Sequence, residues 1–231
     1  MNDVVLATII ILIYFSPVLY QVGKLLIEIK NGNKLSLKKL YSVLKITTLL
    51  FVIVLSFFLS LSHTNFLNYE GRLEYNKIDQ ITFKNFRGLN LFKETFYGKK
   101  EFAYIVTKID YEFDGDNVSI QSYFYPSRSF VYNRKTLNPQ LLTHELYHFK
   151  ITELYARKAK KRIVENKVNT KSEIRKIINQ IRLEERLFQK EYDFETFHSY
   201  VYSEQKKYEN NIDSLLNLHL DYKNPKLKFI N

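Results

Sequence analysis

The hydrophobic pattern of the chain opens with two long apolar segments. Residues 4–22 and 46–62 contain no charged side chain, and a helix needs about 20 apolar residues to cross the hydrocarbon core of a bilayer. Buried core helices fit such uniform runs less well. A cleavable signal peptide also fits poorly, because the start lacks basic residues and no small-residue cleavage site follows. The pattern therefore predicts two transmembrane helices, the first of which accommodates Pro17 near one end.

A strand-like pattern occupies the middle of the chain. Residues 104–113 and 118–125 are rich in Val, Ile, Tyr and Phe, with partial alternation of apolar and polar positions. Residues 114–117, Asp-Gly-Asp-Asn, form a turn-favouring cluster between them. Residues 129–133 predict a further short strand. We therefore expect antiparallel strands joined by tight turns.

Beyond Pro139 the pattern becomes helical. Asn138 suits the N-cap and Pro139 the first position of a helix over 139–163. A capping box of Thr170 and Glu173 begins a second helix, and a third covers about 199–218. The predicted fold class is α+β, with antiparallel strands followed by a helical half and preceded by the two transmembrane helices. The predicted domains are a membrane domain, 1–62, and a second domain, 63–231.

The distribution of charge predicts how the two transmembrane helices are oriented in the membrane. The chain carries 35 Lys and Arg against 24 Asp and Glu, but no nucleic-acid-binding motif accompanies the excess. Between the apolar segments, residues 23–45 hold six Lys against one Glu, and short loops rich in Lys stay in the cytoplasm. We therefore expect a protein that crosses a cell membrane twice. Residues 63–231 would lie outside the cytoplasm, in the periplasm or the cell exterior.

One motif in the second domain carries candidate chemistry. Residues 144–148 read His-Glu-Leu-Tyr-His. On a helix, His144 and His148 share one face, and this spacing lets two imidazoles hold one zinc ion. Glu145 beside them can take a proton from water at the metal. Cysteine is absent, so a metal site must use His, Asp and Glu. The pattern favours a zinc site over two unrelated surface histidines.

A catalytic zinc site needs a third protein ligand. Glu153 lies nine residues after His144, which places it on the opposite face of a helix, so we interpret it as structural. The favoured third ligand is His198, because imidazole suits zinc and adds no charge. Asp193 is the alternative, either as ligand or as hydrogen-bond partner of a ligand histidine. Glu185 falls on the apolar stripe of the second helix and is interpreted as half of a buried ion pair.

Two longer stretches make the motif more specific. LLTHELYHFKITELYARKAKKRI and YDFETFHSYVYSEQKKYENNIDSLLNL resemble a bacterial family of HExxH zinc peptidases known as domain of unknown function 922. Residues 73–88 and 123–133 are similar to earlier segments of that family, with Tyr75 and Phe130 in place of its usual Trp residues. Tyr147 stands where the family often has a small or polar residue. The likeness covers roughly residues 70–225 and implies a zincin-like fold and peptidase activity without specifying a substrate.

The leading functional prediction is a membrane-anchored zinc metallopeptidase, a hydrolase in which Glu145 assists attack of zinc-bound water on a peptide bond. Its expected partner is a peptide or protein substrate, and Tyr155 and Ser129 are candidate site-lining residues. The alternative is a catalytically inactive, membrane-anchored peptide- or protein-binding domain that retains a structural metal site. An intramembrane protease is excluded, because neither apolar span contains His or carboxylate ligands.

The expected orientation is open to a direct test. A reporter that is active only in the cytoplasm, fused after Asn231, should give no signal, because the basic loop is retained inside. The same reporter inserted in the 23–45 loop is the positive control. Strong activity of the C-terminal fusion would overturn the topology.

Overall fold

The computed structural model describes residues 3–32, 37–64, 69–88, 103–132 and 137–228. The chain divides into two compact units, Met1–Leu61 and Ser62–Asn231. Each unit is described by itself.

The first unit is helical, with α1 (Asp3–Tyr14), α2 (Ser16–Lys30) and α3 (Leu37–Thr64). Within α3, Leu37–Ser60 is the single continuous described helix that is long and apolar enough to cross a membrane. The hydroxyl of Tyr14 donates to the carbonyl of Thr47 at 2.9 Å, which ties α1 to α3. Of the predicted basic loop, residues 23–30 and 37–45 are helical, and Lys34 lies outside the described residues.

The first predicted membrane helix is broken. Thr8–Tyr14 and Ser16–Lys30 meet at an angle of 60°, because Pro17 has no N–H to donate to the preceding turn and its ring crowds the carbonyl of residue 13. Together the bent pair could count as one span. A continuous crossing by residues 4–22 is therefore not confirmed.

The second unit contains two small antiparallel sheets. Strands β3 (Thr107–Asp114) and β4 (Asn117–Phe124) form a hairpin, and β1 (Leu73–Glu74) and β6 (Lys226–Lys228) pair with the other side of β4. Among the described residues, β3 pairs only with β4 and is an edge strand. A second sheet joins β2 (Ala103–Tyr104) to β5 (Phe130–Val131). The predicted strand over 104–113 is thus interrupted at residues 105 and 106.

Helix α4 (Pro139–Glu165) carries the His-Glu-Leu-Tyr-His motif and runs through the centre of the unit. Its start is confirmed, since the side chain of Asn138 accepts the N–H of Leu141 at 2.7 Å. The helix is buried on most sides, so its polar side chains need partners inside the protein. Glu153 accepts from Ser122 at 2.7 Å and from Arg157 at 2.8 Å, which confirms a structural role for Glu153.

Helices α5 (Lys171–Thr196) and α6 (Tyr202–Leu218) pack against α4. The predicted N-cap of α5 is confirmed, because the Thr170 hydroxyl accepts the N–H of Glu173. The apolar stripe of α5 joins the sheet and the other helices in one core, through Ile174, Ile178, Ile181 and Tyr192. The α+β class is therefore confirmed, with helices dominating and the sheets small.

Candidate metal centre

Three side chains converge at the junction of α4 and α5. One ligand atom from each of His144, His148 and Asp193 lies within 4.8 Å of the others. The Oδ1 atom of Asp193 is 3.2 Å from Nε2 of His144 and 2.9 Å from Nε2 of His148, and the two nitrogens are 3.2 Å apart. Ligands about 2.0–2.1 Å from a tetrahedral zinc ion lie roughly 3.3 Å from one another. The three atoms therefore have the spacing that such an ion requires.

The hydrogen bonds of Gln189 select the tautomer of His148. The side-chain N–H of Gln189 donates to the carbonyl of His148 at 2.9 Å, so the amide oxygen of Gln189 faces the ring and accepts from Nδ1 of His148. A neutral ring protonated at Nδ1 has its lone pair on Nε2. The nitrogen that faces Asp193 is thus the one available to a metal, and Gln189 holds it in place.

The ring of His144 is positioned by stacking. It lies parallel to the ring of Tyr192, with centroids 4.6 Å apart and planes inclined by 16°. Tyr192 precedes the carboxylate of Asp193 in the chain and is completely buried in the core. The packing of α5 against α4 therefore fixes the positions of the Asp193 carboxylate and the His144 imidazole relative to each other.

Burial and charge shift the pKa values of these groups in different directions. Burial lowers the pKa of His144 to about 4. Burial would also lower the pKa of His148, but its hydrogen bond to Asp193 and the nearby negative charges raise it to about 9. For Asp193, burial is outweighed by hydrogen bonds from His144, His148 and His198, so its pKa lies well below the usual range. The carboxylate is therefore ionised, and a metal ion bound at Nε2 of His148 would replace the proton that its high pKa describes.

Glu145 lies on α4, beside the three converging side chains of His144, His148 and Asp193. One carboxylate oxygen accepts the backbone N–H of Ile105 at 2.9 Å, and this bond draws residue 105 out of the sheet. Burial raises the pKa of Glu145 to about 7, against the lowering effect of His148. A carboxyl group with a pKa near neutrality is suited to act as a general base and then as a general acid.

Glu145, His148 and Asp193 line a cleft of about 910 Å³, and His144 lies buried beside them. Glu145 and His148 line it from α4, residues 103–110 form one wall, and α5 with His198 forms the other. The outer edge of β3 belongs to the first wall, and there the carbonyl of Ile109 already accepts from the guanidinium of Arg182. An exposed strand edge can pair with an extended peptide through main-chain hydrogen bonds.

The two candidates for the third ligand occupy different positions. Asp193 contacts both motif histidines directly, whereas Nδ1 of His198 is 3.4 Å from Oδ1 of Asp193 and its side chain is 53% exposed. The metal-compatible group therefore contains the alternative residue, Asp193, with His198 beside it. Positive φ angles at Phe197, His198 and Ser199 turn the chain at this point and carry the His198 ring back towards Asp193.

Two predicted site-lining residues lie elsewhere. Tyr155 is buried in the core and packs against Phe188, as expected for a helical residue on the apolar face. Ser129 is fully buried, where its hydroxyl accepts from the N–H of Val106 and donates to the carbonyl of Tyr125. Neither residue lines the cleft. Both side chains therefore stabilise the fold around the site.

The buried ion pair predicted for Glu185 is wrong within the described part of the chain. Glu185 accepts a hydrogen bond from Thr152 at 2.6 Å, and its hydrogen bonds are to neutral groups, Thr152 and Gln189. Burial raises its pKa, against the lowering effect of those bonds. The carboxyl group therefore joins the polar network behind His148 instead of neutralising a cation.

Sequence reasoning missed the roles that Gln189, Tyr192 and the Ile105 N–H have at this site. Gln189 carries a signal in retrospect, because it precedes Asp193 by four residues and so shares its face of α5. The Ile105 N–H carries none, since a backbone group has no sequence signature. Comparison of the chain with family models, with curated proteins and with solved structures finds no match. The family resemblance therefore stays a prediction.

The geometry predicts which residue the metal needs. Asp193→Ala should abolish tight zinc binding, measured by competition with a chromophoric chelator, because it removes the atom that contacts both histidines. His198→Ala should weaken binding by about 10–100-fold without abolishing it, as loss of a hydrogen-bond partner of a metal ligand typically does. Glu195→Gln, an exposed neighbour on α5, is the control. Loss of zinc in His198→Ala with full retention in Asp193→Ala would reverse the assignment.

Proposed function

We propose that this protein is a membrane-anchored zinc metallopeptidase. The proposal rests on Glu145, with its pKa near neutrality, beside the converging group of His144, His148 and Asp193. Glu145, His148 and Asp193 of this set line the cleft. The three side chains would hold zinc through two imidazole nitrogens and one carboxylate oxygen. The ion would supply a Lewis acid that polarises a peptide carbonyl and lowers the pKa of water.

The chain's own residues account for the proton transfers. Glu145 would accept a proton from the attacking water and return it to the departing amine nitrogen. The Ile105 N–H holds the Glu145 carboxylate against the cleft wall, which limits its rotation. The main-chain groups of the β3 edge that Arg182 leaves open would align an extended substrate by hydrogen bonds. The proposed general base and the proposed peptide-binding edge would then share one cleft.

The membrane anchor is part of the proposal. The apolar span Leu37–Ser60 would hold the enzyme in a bacterial inner membrane. The bent pair of α1 and α2 would supply the second crossing. The six Lys of residues 23–45 lie at the facing ends of these two spans and between them. They would keep the connection in the cytoplasm and leave the Ser62–Asn231 unit outside it.

A catalytically inactive binding domain is the second candidate, and the position of His198 favours it. With its ring 3.4 Å from Asp193, a small rotation would make His198 a fourth ligand. A zinc ion with four protein ligands is structural. The two candidates therefore differ in whether the fourth position is open to water and substrate.

Glu145→Gln separates these functions. The variant should bind zinc as the parent does but lose at least 100-fold in peptide turnover, because a general base typically contributes about 10²–10⁴-fold. Turnover of the parent should also fall on the acid side of its pH profile, where Glu145 becomes protonated. Casein and a quenched fluorescent peptide library provide the assay, with a chelator-treated sample as blank and Glu195→Gln as control. Equal turnover of variant and parent would eliminate this mechanism.

A further inference from the structure

The wall of the cleft formed by α5 carries a row of cations. Arg182, Arg186 and Lys190 all line the cleft, and their four-residue spacing places them on one face of the helix. Arg182 is engaged, because its guanidinium donates to the carbonyl of Ile109 on the edge strand. Arg186 and Lys190 are exposed, and neither has an acidic partner within 4.0 Å in the described part of the chain.

The facing wall adds a third exposed cation. Lys108 lies on β3 and also lines the cleft. Within the described ranges it has no ion pair, and its ammonium group lies 5.5 Å from the centre of the Tyr125 ring. Three exposed cations therefore face the same space from two walls. The carboxylates that act on them, Glu185 on Arg186 and Asp110 on Lys108, do so from beyond ion-pair distance.

The acidic residues of the cleft are already engaged. Asp110 pairs with Arg72 at 2.5 Å and accepts from the Tyr125 hydroxyl. Each of the other three has a partner described above: Glu145 the Ile105 N–H, Glu185 the Thr152 hydroxyl, and Asp193 the histidines. Among the described residues, the exposed charges of the cleft that have no ion-pair partner within 4.0 Å are thus those of Lys108, Arg186 and Lys190.

The two cations of α5 are spaced along the helix at regular intervals from Asp193. Along α5, Lys190 precedes Asp193 by three residues and Arg186 precedes it by seven. At 1.5 Å per residue these steps correspond to about 5 and about 10 Å. An extended peptide advances roughly 3.3 Å per residue. For a peptide that runs along α5, Arg186 is therefore level with a substrate residue about three positions from the bond at the metal centre.

We propose that the cleft selects peptides that carry a carboxylate about three residues from the cleaved bond, bound by Arg186 with Lys190 and Lys108. The choice of a peptide as the ligand rests on the proposed function. The carboxylate can belong to an internal Glu or Asp side chain or to the C-terminus of the peptide. A guanidinium group binds a carboxylate from either source through two parallel hydrogen bonds.

The test uses the full-length, zinc-loaded protein in detergent and a set of fluorogenic decapeptides. Each peptide is amidated and carries a single Glu that is moved along the chain, with Gln and Lys counterparts at every position. A parallel set with a free C-terminus distinguishes the terminal carboxylate from the side chain. We expect kcat/KM to be about tenfold higher for Glu than for Lys at the selected position, from two exposed charge contacts.

Charge reversal on α5 tests the assignment to Arg186. Arg186→Glu should reverse the preference, so that the Lys peptide becomes the better substrate. Lys176→Glu is the matched control, because Lys176 is exposed on the same helix and does not line the cleft. The preference should also diminish between about 0.05 and 1 M salt, as expected for exposed charges. Equal cleavage of Glu and Lys peptides, or a preference unchanged in Arg186→Glu, overturns the inference.

A binding measurement separates this inference from the proposed function. Fluorescence anisotropy of the labelled Glu and Lys peptides on the Glu145→Gln variant reports affinity without turnover. If no peptide is cleaved by the parent but the Glu peptide binds more tightly and loses that advantage in Glu145→Gln/Arg186→Glu, the peptidase proposal fails and the cleft selectivity stands. Cleavage by the parent with equal binding of both peptides and equal kcat/KM overturns the selectivity alone.

Discussion

The contact of one carboxylate with two imidazoles determines how the second unit is arranged. Asp193 on α5 meets His144 and His148 on α4 within 3.2 Å, and an ionised carboxylate in a mostly buried position needs such partners. This contact requires the C-terminal end of α5 to lie against the first turns of α4. The hydrophobic core supplies that approach, because Tyr192 packs beneath His144. Site and core are therefore parts of the same helix–helix interface.

The turn after α5 shows a cost of this arrangement. Phe197, His198 and Ser199 all have positive φ angles, and for residues other than glycine each costs roughly 1–2 kcal/mol. Backbone and side-chain hydrogen bonds hold the turn: the His198 N–H donates to the carbonyl of Asp193, and Gln140 on α4 donates to the carbonyl of Ser199. A strained turn at a candidate ligand is consistent with a functional constraint on the chain direction.

Local sequence signals predicted where the helices begin better than they predicted which residues come together in the folded protein. Asn138 and Pro139 marked the start of α4, and the capping box at Thr170 marked that of α5, because these signals act within one turn of the chain. The motif histidines are confirmed as neighbours for the same reason. The ranking of His198 above Asp193 depended on the direction of the next turn. Residues 194–201 contain no glycine or proline. The sequence therefore contains no indication that three residues there adopt left-handed backbone angles.

Long-range contacts explain the other differences. The strand expected over 104–113 is interrupted because the Ile105 N–H donates to Glu145 on a helix 40 residues later. Glu185 was expected to neutralise a cation, but the position of Thr152 on α4 offers it a hydroxyl. Ser129 was considered site-lining, and its hydroxyl instead holds the N–H of Val106 beside the cleft. Each outcome depends on which element lies opposite, and a single sequence does not contain that information.

The central claim is that His144, His148 and Asp193 hold a zinc ion with one coordination position open. X-ray absorption spectroscopy of the zinc-loaded protein tests it, because the chain has no cysteine and any zinc–sulfur signal must come from an added thiol. On addition of a small thiol inhibitor we predict a sulfur neighbour at about 2.3 Å beside two imidazole nitrogens and one carboxylate oxygen. A site that keeps three imidazoles, or four protein ligands with no sulfur neighbour, would contradict the claim.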